Sequence, residues 1–226
     1  MTDRATARRL TIALAATAAV VLTAMVAITA VTGVAQEPFE RQRVDYLTAI
    51  ADAAPALRAI IGLDALFLIA YTAFFVLLPR ALGVDGEPVV RLGVRALVAV
   101  AVLDMIEDHH LLAVADAARD GLPVEPVRLA LQQVLSQVKF HLSYLGLALV
   151  ALGLPRRTAG ERAFAWMLGL PLPVLGAVQW AAPTLESTLD VARWLAFMSG
   201  FAAAIVTVRA AGRARADAAA ATDAPA

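Results

Sequence analysis

Six long apolar runs divide this chain, at approximately residues 10–34, 57–78, 92–115, 127–154, 163–182 and 191–208. A hydrocarbon layer about 30 Å thick takes roughly 20 helical residues to cross, so each run is long enough to span it. Between the runs lie short segments punctuated by Pro and Gly, such as "LLPRALGVDGEPVV", "ARDGLPVEPV" and "LGLPRRTAGER", which make sequential neighbours antiparallel. The expected fold class is therefore all-α, a polytopic transmembrane helix bundle of about six spans. Residues 1–210 are read as one transmembrane helical domain and residues 211–226 as a disordered tail, since "RAAGRARADAAAATDAPA" is of low complexity. The balance of 61% hydrophobic to 17% charged residues lies outside the range of water-soluble domains, and the lipid bilayer is the first expected partner.

The basic residues orient the bundle. With a cytoplasmic N-terminus, Arg4, Arg8, Arg9, Arg80, Arg91, Arg95, Arg156, Arg157, Arg162, Arg209, Arg213 and Arg215 fall inside, and Arg41, Arg43, Arg58, Arg119, Arg128 and Arg193 fall outside. This two-to-one bias places both termini in the cytoplasm. The first run begins basic and ends in small residues, as a cleaved signal does, but its apolar part is about twice the usual signal core. It is read as a retained anchor. Richness in Ala, Val and Arg suggests a GC-rich bacterial genome, and with it a multi-pass protein of the inner (cytoplasmic) membrane. The absence of cysteine removes disulfides and thiolate metal sites.

The stretch "VLDMIEDHHLLAV" does not fit a lipid-facing helix. At 100° per residue Asp104, Glu107 and Asp108 share one arc of about 100°, with His110 flanking it and His109 on the far side. On the fourth run Gln132, Ser136, Lys139 and Ser143 form a narrow polar stripe, with a second stripe of Gln133, Gln137 and Tyr144 beside it. The second run adds Asp64 and Tyr71, seven residues apart and so on one face. Polar stripes facing lipid would be left unsatisfied, so all of these are expected to point into the bundle. The rise of 1.5 Å per residue sets Glu107, Asp108 and Lys139 at one depth, which makes Lys139 the expected partner of Asp104 or Glu107.

Three acids on one span cost about 8–10 kcal/mol on an insertion scale, more than its apolar residues offset, so the third helix needs the fourth beside it. Four acids against one lysine also leave excess negative charge, which must be met by protons, cations or water. The buried polar cluster is therefore read as Asp64, Tyr71, Asp104, Glu107, Asp108, His110, Gln132, Ser136, Lys139 and Ser143. Three functions fit it: a carrier of small solutes linked to protons or small cations, a metal-dependent intramembrane enzyme, and a membrane protein whose buried ion pairs only fix helix packing.

For the enzyme reading, Glu107 and His110 form a lone Glu-x-x-His, with His141 as a third weak metal candidate. A paired di-iron motif is lacking, and Lys139 would repel a metal, so no cofactor is expected and the reading leans away from catalysis. No phosphate loop or nucleophile elbow occurs, and the dispersed arginines argue against nucleic acid as a partner. The fifth run carries Pro171 and Pro173, which should bend or break it. Trp166, Trp180 and Trp194 fall near span ends, where indoles anchor to headgroups. The segment "QEPFERQRVDYLTAIADAAPA" is expected to be a loop or an outer-surface helix with Phe39, Val44, Leu47 and Ile50 toward the lipid.

Overall fold

The structure, a computed structural model, describes residues 3–40, 45–181 and 186–222, with the side chains of 179–188, 190 and 215–222 excepted. Val44, Arg41 and Arg43 lie outside the described residues, as do the side chains of Trp180 and Arg215, on all of which the sequence reading made assignments. Every regular element among the described residues is helical: α1 (Arg4–Thr32), α2 (Tyr46–Leu82), α3 (Pro88–Arg119), α4 (Pro126–Gly153), α5 (Ala159–Gly169), α6 (Pro171–Ala181) and α7 (Glu186–Thr222). A single 3-10 turn at Glu37–Phe39 precedes α2. Among the described residues four helices are long and apolar enough to cross a membrane: α1, α2, α4, and α7 over Val191–Ala214.

Local chemistry sets most of the helix ends. Pro88 and Pro126 stand in the first turns of α3 and α4, where a missing N–H leaves nothing unsatisfied. Gly33 and Gly83 close α1 and α2 at φ 71° and 79°, a left-handed conformation that costs glycine nothing. The expected break in the fifth run falls at Leu170, where α5 ends and Pro171 opens α6. Thr158 and Glu161 cap α5 reciprocally: the Thr158 hydroxyl accepts from Glu161 N at 3.1 Å, and the Glu161 carboxylate accepts from Thr158 N at 3.2 Å. Burial raises the Glu161 pKa, but hydrogen bonds from Arg157 and Thr158 outweigh it and leave the carboxyl below its usual value. Thr158→Ala is expected to lower stability by about 1 kcal/mol, read as a fall in the thermal midpoint of the purified protein.

The helices form a closed ring. α1 packs on α2, α2 on α3, α3 on α4, α4 on α5, and α7 on α5, α6 and α1. Helices α3 and α4 meet backbone to backbone at Gly93 and Gly146. A Cβ on Gly93 would stand 2.8 Å from both Gly146 O and Val150 N.

Two apolar cores fill the ring. The larger one includes Tyr71, Phe74 and Phe75 of α2, Leu97 of α3, Leu147 and Val150 of α4, Phe164 of α5, and Phe201 of α7. The smaller includes Phe39, Tyr46, Ile50, Leu57 and Ile61, packed on Leu111, Val114 and Ala115 of α3. Outward positions are apolar as well: Val20, Ile69, Leu92, Val102, Ile106, Val134 and Leu152 are all exposed. Exposed apolar surface on every helix of the ring is what a hydrocarbon solvent, rather than water, accommodates.

Two sequence expectations are corrected. Residues 46–56 form neither a loop nor a separate surface helix; they are the first turns of the 37-residue α2, which passes through Pro55. Phe39 and Ile50 are buried at 6% and 0% exposure rather than turned to lipid, because the face of α3 above its acids is apolar and needs cover. The stretch from residue 211 continues α7 as far as Thr222 instead of forming a disordered tail. Alanine loses no side-chain entropy in a helix, so an Ala-rich polar segment extends one already nucleated by packing.

Candidate functional site

The polar cluster lies between the two apolar cores, at the level of Asp64 on α2, residues 104–110 on α3 and 132–139 on α4. Its centre is Lys139, 5% exposed. The ammonium lies 2.5 Å from Glu107 Oε2, 2.8 Å from Asp104 Oδ1 and 3.6 Å from Glu40 Oε1. Helices α3 and α4 are thus joined by two ion pairs at their common level. Both acids expected as partners of the lysine meet it.

Glu107 is fully buried, and its partners come from α4, although its Oε2 makes an ion pair and no hydrogen bond. Its Oε1 accepts from Gln132 Nε2 at 3.1 Å and from the Ser136 hydroxyl, while Oε2 faces Lys139. Gln132 Oε1 in turn lies 2.6 Å from His110 Nδ1. Because that amide oxygen is an acceptor only, Nδ1 donates to it, and the buried Nε2 has no hydrogen-bond partner. The chain His110–Gln132–Glu107–Lys139 therefore links α3 and α4 three times over.

The other acids form a second group. Asp64, Asp104 and Asp108 each offer an oxygen within 4.8 Å of the other two, close enough to ligate one cation, and Asp64 and Asp108 are hydrogen-bonded to each other. Asp108 Oδ1 accepts from Gln36 Nε2 at 2.8 Å. Asp64 and Asp104 line a cavity of about 190 Å³, along with Tyr71 and Ser143 and the ends of Lys139 and Arg193. Its walls come from α1, α2, α3, α4 and α7, and residues Gln36, Glu37 and Glu40 cover it. The sequence reading drew the polar cluster from the second, third and fourth runs alone; α1 and α7 add walls to the cavity beside it.

His109 and His141 stand apart from this site. Both are exposed, with Nδ1 2.8 Å from Met105 O and 2.7 Å from Gln137 O respectively, each bonded to its own helix. Glu107, His110 and His141 therefore do not assemble as a metal centre, since an ammonium and an amide occupy Glu107 and His141 faces outward. The three-aspartate group takes that place as the arrangement with metal-like spacing.

Two contributors escaped the sequence reading. Gln36 and Glu40 come from the segment between α1 and α2, assigned to an outer loop, yet Glu40 is only 7% exposed. The cause is Phe39, whose burial against Tyr46 draws its neighbours inward, with ring centroids 6.1 Å apart. An aromatic residue set between two glutamates in "QEPFE" was the available signal. Burial pushes the Glu40 carboxyl up to about 8 against the pull of Lys139; Glu107 and Glu37 add to the rise, and Arg193 opposes it.

An acid whose folded pKa exceeds its unfolded value binds the extra proton in the folded state, so stability declines as pH rises between 4.5 and about 8. Glu40→Gln is expected to flatten that part of the stability curve relative to the parent protein. Thermal midpoints measured between pH 5 and 8.5 check this, and parallel curves would refute it.

The chain matches no family model, and no curated protein and no solved structure shows significant similarity to it. The functional reading therefore rests on the site itself.

Proposed function

We propose that this protein is a six-span integral membrane protein, multi-pass in a bacterial inner membrane with both termini cytoplasmic, that carries a small solute in linkage to protons or small cations. The observation that carries this reading is the three-aspartate group bordering a cavity inside an apolar ring. Buried carboxylates in excess of basic partners are held only if protons or cations come and go, and such groups within a membrane mark transport paths.

The span count has support from α3 and from α5 with α6. Helix α3 falls short of the apolar criterion because of its acids, but Glu107 and Asp108 are buried while Val98, Val102, Met105 and Ile106 are exposed. Its outer surface thus suits lipid. Helices α5 and α6 have 11 residues each, about 16 Å apiece at 1.5 Å per residue, so neither crosses alone and together they match the hydrocarbon thickness.

Proteoliposomes carrying an imposed pH gradient test the function. The parent protein is expected to dissipate the gradient in a solute- or cation-dependent way, and Asp108→Asn to abolish this while leaving the thermal midpoint within a few degrees. Equal leak rates for parent, variant and empty vesicles would refute the reading.

A structural role is the second reading for part of the cluster, and the three α4 partners around Glu107 favour it. On that division Glu107 and Lys139 fasten α3 to α4, and Asp64, Asp104 and Asp108 do the functional work. Metal analysis of the purified protein separates both from a metalloenzyme, which requires a stoichiometric transition metal.

A further inference from the structure

The ion pairs leave one carboxyl of the cavity without a basic partner, Asp64, whose neighbour in hydrogen bonding is Asp108. Glu40, Asp104 and Glu107 all converge on Lys139. Asp64, 8% exposed and lining the cavity, has no Lys or Arg nitrogen within 4.0 Å among the described residues. One turn and two turns further along α2, Phe67 and Tyr71 also face the cavity, their rings stacked at 5.5 Å. Phe197 of α7 closes the same wall, edge-on to Phe67 at 6.2 Å. Phe140 is a different case: Lys139 Nζ and the Arg193 guanidinium already lie 4.8 Å and 5.0 Å from its centroid. The α2–α7 wall is where a further positive charge meets aromatic carbon.

This lining discriminates between kinds of cation. A hard divalent ion takes six or more oxygen ligands; it would sit among the three aspartates, since the α2–α7 wall adds only the Tyr71 hydroxyl, and it would leave the aromatic rings unused. An alkylammonium has an apolar skin that ring faces attract through their quadrupole, and its charge asks for one nearby carboxylate. A cavity of about 190 Å³ holds such a molecule of several heavy atoms.

We propose that the cavity binds a small organic cation of the alkylammonium class, with Asp64 as its counter-charge and Phe67, Tyr71 and Phe197 as its aromatic wall. This rests on the carrier reading and names the substrate class for it. Asp104, shared between Lys139 and the cavity, sets the position of the charged head next to the proton-binding group.

The test uses purified full-length protein in lipid nanodiscs, with choline, its neutral isostere 3,3-dimethylbutan-1-ol, and Na⁺ as probes in calorimetric titrations at constant ionic strength. Choline is expected to bind, and the isostere to bind at least about 10-fold more weakly. Asp64→Asn is expected to weaken choline by at least about 10-fold, and Phe67→Leu by roughly 3- to 30-fold. Phe67→Leu keeps the wall apolar, so it decides the matter if Asp64→Asn does not fold. Equal affinity for choline and the isostere, binding of neither, or displacement of choline by equimolar Na⁺ would overturn the proposal. Choline bound without flux in proteoliposomes would remove the carrier reading and leave the site. Gradient dissipation without choline binding would do the reverse.

Discussion

Lys139→Met is expected to lower stability by about 3–5 kcal/mol. The estimate follows from what the change leaves behind. Glu107, with no exposed surface, and Asp104 would keep their places without the ammonium 2.5 Å and 2.8 Å away. An uncompensated buried charge costs far more than the net worth of the pair it came from. The partner cycle makes the expectation specific: Lys139→Met combined with Glu107→Gln should recover a substantial part of the loss. Gln can still accept from Gln132 or Ser136, and it needs no counter-charge. Thermal or denaturant unfolding of the two single variants and the double variant in one detergent checks this. Additive losses would show that the two groups do not act as a pair.

Gly93→Ala is expected to destabilise by about 1–3 kcal/mol, a range typical of forced overpacking. The new methyl would meet backbone on the facing helix, Gly146 O and Val150 N at 2.8 Å, and backbone cannot rotate aside as a side-chain tip can. Helices α3 and α4 must separate, and that separation propagates toward Lys139 and its carboxylates on the same two helices. The variant should therefore also loosen the site, seen as faster hydrogen exchange around residues 104–108. Gly62→Ala is the control. Nothing lies within 4 Å of a Cβ there, and replacing a mid-helix glycine gains about 0.5–1 kcal/mol in conformational entropy. Equal destabilisation by both changes would show that the Gly93 crossing is not the cause.

Much of the site was legible because helical periodicity is a strict rule. Residues 104, 107 and 108 share a face whatever surrounds them, as do 132, 136, 139 and 143, and a low-dielectric solvent allows such faces only one direction. The pairing of Lys139 with α3 followed from depth alone. The break at Leu170 was equally local, a consequence of two prolines within three residues.

The histidines show where the rule stops. Glu107 and His110 do lie near one another, but whether they serve a metal depends on what stands opposite. The opposing groups proved to be Gln132 and Lys139. His141 is two residues from Lys139 and so on nearly the opposite side of α4. Gln36 and Glu40 illustrate the other gap, because no periodicity governs a loop. Their arrival over the cluster depends on Phe39 finding a pocket between α2 and α3.

The sequence by itself determined that the chain is helical and apolar on its outside, and that helices two, three and four turn ionisable faces inward. These are properties of single segments, fixed by the turn angle and by the cost of polar groups in hydrocarbon. Only the tertiary structure decided that α7 closes the ring onto α1, that Glu40 joins the cluster, and that one set of acids is saturated while another borders a cavity. Those outcomes depend on distances between segments far apart in the chain. Such distances are set by how all the helices pack at once, and no local pattern encodes that.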